Sequence, residues 1–202
     1  MITKITLISI SAAVTLAALQ SHAQIDQGAV EASLSGTMGS VSYTSDTHSA
    51  YIIVPGESHE HLSLALRPGY YIVEGLDVEP EFLLAATDGV PPSFSISGNL
   101  AYNVMVPGSH VAGFVLAGYG TGNTIPATRN LFSRPYGGFD IGVLNLGAGL
   151  KFFLSERVAL RTEYRFQKYS QEMTFSDYPS SVTLRITSTF HQLFLGFSVF
   201  FP

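Results

Sequence analysis

The sequence contains no cysteine and no tryptophan. Without cysteine there is no disulfide scaffold, thiolate metal site, thiol nucleophile or lipidated cysteine. Charge is scarce as well. Charged residues make up 12% of the chain, about half of the ~25% usual for a soluble domain. Lys and Arg number 10 against 15 Asp and Glu, a formal net charge of −5. Nucleic acid is therefore not expected as a partner, because it requires a basic face. No apolar run after Ala23 is long enough for a transmembrane helix. What is plentiful is apolar: 46% of residues are hydrophobic, with 14 Phe and 10 Tyr. That composition excludes disorder. It points to a chain that does not live entirely in water.

The N-terminus has the layout of a secretory signal peptide. Lys4 supplies the positive charge, Ile5 to Leu19 the apolar stretch, and Ser21 and Ala23 the small residues before a cut. The expected division is a cleavable signal over residues 1–23 and one domain over residues 24–202. The apolar stretch is short for the ~20 residues of a spanning helix.

The remainder alternates with period two between turn residues, as half-exposed strands do. Val158, Leu160, Thr162, Tyr164 and Phe166 fall on one face, and Ala159, Arg161, Glu163, Arg165 and Gln167 on the other. The same parity runs through residues 62–72, 78–86, 94–104 and 144–154. It is weaker in residues 29–43, and residues 110–121 are apolar on both faces. Tight turns are expected at Glu74–Leu76, Val106–Ser109 and Ser155–Arg157. Residues 44–60, 122–139 and 172–182 read as long loops. The expected fold is all-β: an eight-stranded antiparallel up-and-down transmembrane β-barrel. Short turns at one end and long loops at the other are the habit of such barrels.

Charge placement decides which face is inside. Roughly ten residues at ~3.3 Å, tilted near 45°, cross the apolar layer. The charges within such spans share the polar faces: Glu31, Glu79, Glu81 and Glu163, with Arg67, Lys151, Arg161 and Arg165. Four acids and four bases facing a narrow lumen would neutralise one another, whereas a lipid-facing charge would be costly. Opposite signs are expected as neighbours. Glu163 is expected to reach only one of its flanking arginines well, and Lys151 to pair with Glu163 or its neighbours. The aromatics Tyr70, Tyr71, Tyr102, Phe152, Phe153, Tyr164, Phe166, Phe200 and Phe201 are candidates for interfacial girdles.

The chain end, Thr189 to Phe201, alternates Leu193, Leu195, Phe197, Val199 and Phe201 with small or polar residues. Its His191-Gln192…Leu195-Gly196…Ser198…Phe201 pattern resembles the last strand of small Gram-negative outer-membrane barrels and the outer membrane protein β-barrel domain family. The resemblance implies an outer-membrane location, outer-membrane lipids as surroundings, and the barrel-assembly machinery as a partner. Leu195, Phe197, Val199 and Phe201 would then form the assembly signal. Pro202 departs from the pattern by following the terminal aromatic. A parity change between Leu184–Ile186 and Leu193 onward suggests a bulge near Ser188–His191.

Chemistry is sparse. His59-Glu60-His61, with His48 nearby, could attract a divalent metal but lacks a fixed third ligand. His191 with Ser188 or Ser198 has no oxyanion motif around it. Neither a metal site, a catalytic site nor a cofactor is expected. The expected role is structural or surface-interacting, with a lumen filled by side chains. The extracellular partner is unspecified. Three alternatives remain: a narrow channel or port for small hydrophobic molecules, a lipid-A-modifying barrel enzyme, and a soluble lipocalin-like ligand-binding barrel.

Overall fold

The computed structural model describes residues 25–41, 59–87, 90–123, 141–177 and 180–202. The expected signal segment lies outside these residues, as do His48 and most of the two longest loops. Eight strands follow in chain order: β1 Val30–Val41, β2 His59–Val73, β3 Leu76–Thr87, β4 Val90–Met105, β5 Val111–Gly122, β6 Ile141–Ser155, β7 Val158–Asp177 and β8 Ser180–Phe201. Each pairs antiparallel with the next, and β1 pairs with β8 to close the barrel.

Alternation makes this chain a barrel. Successive side chains point to opposite sides of a strand, so the parity seen in the sequence becomes an inside and an outside. Outward residues are apolar and exposed, among them Leu34, Leu66, Leu100, Leu150, Leu195 and Phe197. Inward residues are buried and mostly polar in the middle of the barrel. Tight turns sit at the end where β1 begins and β8 finishes. At Glu74–Gly75, glycine is required twice over. Gly75 has φ +75°, and an added Cβ would lie 2.6 Å from the Asn103 carbonyl oxygen.

Two expectations need correction. Residues 172–182 are not a long loop: β7 runs to Asp177 and β8 starts at Ser180. Twenty and 22 residues exceed the roughly ten that cross a bilayer. The polar composition there marks strand beyond the apolar layer, not loop. Nor is there a bulge near Ser188–His191, since β7 and β8 pair residue for residue from Val158↔Val199 to Asp177↔Ser180. The change is in polarity, not register. Phe190 points inward and packs with Ile141, Val143 and Tyr169, so the interior itself turns apolar at that level.

The aromatic girdle also needs revision. The doublets Tyr70-Tyr71 and Phe200-Phe201 each send one ring out and one in. Tyr70, Tyr102 and Phe201 are exposed near the termini end, whereas Tyr71, Phe153 and Phe200 are buried inside. The inward three join Ile25, Ala29, Ala112 and Ala159 in an apolar cluster. The N-terminal segment is tied to it by Gly28 N–H donating to the Tyr71 carbonyl at 2.8 Å.

The closing seam is short. β1 and β8 pair from Val30↔Phe201 only to Gly36↔Leu195. Gly196 lies in this seam, and an added Cβ would fall 2.1 Å from the Leu34 carbonyl oxygen. Gly196→Ala should therefore cost about 1–3 kcal/mol by forcing the backbones apart. Gly98→Ala, which meets nothing within 4 Å, should be close to neutral. Thermal unfolding of the two variants side by side checks this.

Candidate functional site

The interior between the two apolar clusters is built from strand parity. Glu31 comes from β1, Arg67 from β2, Glu79 and Glu81 from β3, Lys151 from β6, and Arg161, Glu163 and Arg165 from β7. All eight are inward and at most 1% exposed. No charge this deep is tolerable alone, and each has an opposite partner.

Arg161 is the hub. Its guanidinium grips Glu79 with Nη1–Oε1 2.6 Å and Nη2–Oε2 3.0 Å. It also reaches Glu31 at 3.4 Å and Glu163 at 3.2 Å. Two parallel bonds to one carboxylate form the strong bidentate geometry for which arginine is suited. Arg67 donates to Glu81 through Nε and to Glu163 through Nη1 at 2.9 Å. Arg165 donates through Nε to Glu163 at 2.6 Å and through Nη1 to Glu81. Aromatic faces cover the cations: Phe114 lies 4.4 Å from the Arg161 guanidinium carbon, and Phe194 lies 5.0 Å from that of Arg165.

Two pairings differ from expectation. Glu163 contacts both flanking arginines and Arg67 as well. Lys151 does not pair with Glu163. Its register partner on β7 is the like-charged Arg161, so Nζ crosses the lumen to Glu31 Oε2 at 2.6 Å. Glu31 also accepts from Tyr71 OH at 2.9 Å and Ser198 Oγ at 2.6 Å.

Sequence reasoning missed Asp77. It is wholly buried and accepts from Asn103 Nδ2 at 3.0 Å. It shares the parity of Glu79 and Glu81, and that was the available signal. The expected strand began one residue too late, at Val78, to include it. A neutral ladder adjoins the charges. Gln167 Nε2 donates to Asn145 Oδ1 at 2.9 Å, and Asn145 Nδ2 donates to Ser97 Oγ at 2.9 Å and Asn99 Oδ1 at 3.1 Å.

The other candidates disperse. His61 points inward, 2.6 Å from Ser63 Oγ, and stacks on Phe190. The side chains of His59 and Glu60 lie outside the described residues. His191 faces outward, with Nδ1 2.7 Å from Tyr164 OH. Ser198 is on the opposite face, bonded to Glu31, so these two cannot act together. Leu195, Phe197, Val199 and Phe201 line the outer face of β8 and are 38–58% exposed.

An apolar exterior around a buried layer of paired charges is the inverse of a soluble barrel. Residues 9–191 match the family model described as outer membrane protein beta-barrel domain. The chain belongs to that family. Among solved structures, the N-terminal β-barrel domain of Pseudomonas aeruginosa OprF is similar with a TM-score of 0.54 and 16% identity, over 87% of this chain and 98% of that one. Neisserial surface protein A is similar with a TM-score of 0.51 and 16% identity, over 85% and 95%. At such identities the likeness is one of fold. No curated protein matches the sequence. As an outer-membrane barrel, the chain sits among lipids, and its exposed leucines and phenylalanines are the surface that meets them.

Proposed function

We propose that this protein is a closed-lumen barrel that acts as a structural and surface-interacting element of the outer membrane, without catalysis. The observation that carries this reading is the interior. Ion pairs from Glu31, Arg67, Glu79, Glu81, Lys151, Arg161, Glu163 and Arg165 fill it, and apolar clusters lie on either side. Eight strands enclose only enough space for side chains, so no water-filled bore is left for solute.

Residues 1–23 act as the signal that directs export. The outward row Leu195, Phe197, Val199 and Phe201, ending in an aromatic, is what the assembly machinery reads. Both termini and the tight turns face the periplasm. The connections after β1 and β5 face outward, and a partner outside the cell would meet them there, since long loops carry recognition. An epitope tag at residue 130 should be reachable on intact cells, and one within Val106–Ser109 should not. The reverse pattern would refute the orientation.

Planar-bilayer recording tests the closed lumen. The purified barrel should give no large, stable conductance level. A sustained open level of porin size would overturn the reading. Unchanged lipid A mass spectra on expression would accord with the absence of catalysis.

A further inference from the structure

The charges in the lumen do not balance. Among the described residues, the buried carboxylates are Glu31, Asp77, Glu79, Glu81 and Glu163, and the buried cations are Arg67, Lys151, Arg161 and Arg165. Counted as ionised, these groups leave one negative charge in excess. It falls on Asp77, for which no ion pair exists among the described residues, whereas the other four carboxylates each have a cation at contact.

Asp77 is also short of donors. Asn103 serves Oδ1, but Oδ2 is buried with no hydrogen-bond partner, and so is Oδ1 of Asn103 itself. Two orphaned acceptor oxygens on neighbouring residues can be satisfied by a donor or by a cation. The surroundings favour the cation. Oxygens of Glu31, Asp77 and Glu79 all lie within 4.8 Å of one another. Carboxylates converging at that range repel unless a cation sits among them.

There is also room. Gly69 on β2 faces inward beside Glu31. A Cβ there would lie 3.2 Å from Asp77 Oδ2, 3.4 Å from Glu79 Cγ and 3.5 Å from Glu31 Cβ. The hollow bordered by the three acids is slightly too tight for a methyl group and admits a bare ion at most.

We propose that this hollow binds one hard cation of the alkali or alkaline-earth class. The donor set is oxygen alone, with no nitrogen or sulfur, which favours such ions over zinc or copper. Asp77 Oδ2 supplies the free ligand oxygen, and Glu79, whose two oxygens also accept from Arg161, shares one of them. Glu31 already accepts from Lys151, Tyr71, Arg161 and Ser198, so it adds negative field more than a coordination bond. A bound alkali ion brings this count to zero and an alkaline-earth ion to +1, and either ties β3 to the network. Barrel stability then depends on which cation is present, a property that goes beyond the closed-lumen reading.

The test uses the full-length barrel in uncharged detergent, stripped with chelator, at constant pH and ionic strength. Thermal midpoints are measured in sodium, potassium, magnesium or calcium chloride and in N-methyl-D-glucamine chloride, whose cation is too large for the hollow. At least one small cation should raise the midpoint, by about 4 °C for each tenfold excess over its Kd. Asp77→Asn should abolish the dependence. Gly69→Ala, which keeps every charge but fills the hollow, should abolish it too, and carries the test alone if Asp77→Asn does not fold. A wild-type midpoint indifferent to the cation overturns the proposal, and so does a dependence that survives Gly69→Ala. A midpoint that ignores cations but falls as pH rises would mean that a proton balances Asp77, which also overturns it. None of these outcomes alters the conductance expected of the lumen, so the two readings fail separately.

Discussion

Arg161→Ala should destabilise the barrel by about 3–5 kcal/mol, the cost of breaking a buried ion pair by removing one partner. The figure belongs to this residue because no other side chain forms an ion pair with Glu79 among the described residues. Glu79 loses both bonds of its bidentate grip at 2.6 and 3.0 Å. Water cannot easily take over, since Glu79 is 1% exposed and apolar clusters lie on either side of the charged layer. Arg161→Lys should recover only part of the loss, because an ammonium is a point charge and cannot hold both carboxylate oxygens in one plane. Urea unfolding of the three proteins in the same detergent gives the comparison. A loss below about 1 kcal/mol, the value of a solvated surface pair, would mean that the lumen is wet and the network marginal.

The second large effect lies on the opposite face of β8. Leu195→Arg should cost about 2–4 kcal/mol, and Thr189→Arg about 0–1 kcal/mol. Both side chains are outward and exposed, so burial in protein does not separate them. Depth does. Leu195 stands within the apolar run from Leu193 to Phe201, whereas Thr189 lies beyond it, beside Lys168 of β7. An arginine at 189 reaches the interface, but one at 195 is held in hydrocarbon. Folding into lipid vesicles measures both, and equal costs would remove the lipid from that face.

How much of this was readable in the chain follows from what alternation encodes. Parity on one strand distinguishes inside from outside, so Arg161, Glu163 and Arg165 could be placed together without coordinates. Partners on strands that are not neighbours depend on how the sheet closes, and no local pattern holds that information. Lys151 on β6 and Glu31 on β1 meet only because the wall curves round. Asp77 escaped because a strand boundary is blurred where a turn begins. The extension of β7 and β8 escaped because its Ser, Asp and Pro residues read as turn formers, although the ladder continues to Asp177↔Ser180. Tyr71, Phe153 and Phe200 were legible as aromatic, but their inward direction rests on the register of doublets whose two members look alike.

Neighbouring residues on β8 offer the most direct measurement of the inverted barrel. The chain contains no tryptophan, so one introduced residue is the sole indole reporter. Leu195→Trp places it outward from a position 58% exposed, and Phe194→Trp places it inward at a position that is wholly buried. In vesicles whose lipids carry bromine on the acyl chains, fluorescence of the Leu195→Trp protein should be strongly quenched and that of Phe194→Trp largely spared. Equal quenching, or quenching of Phe194→Trp alone, would contradict an apolar face in lipid and a charged face within.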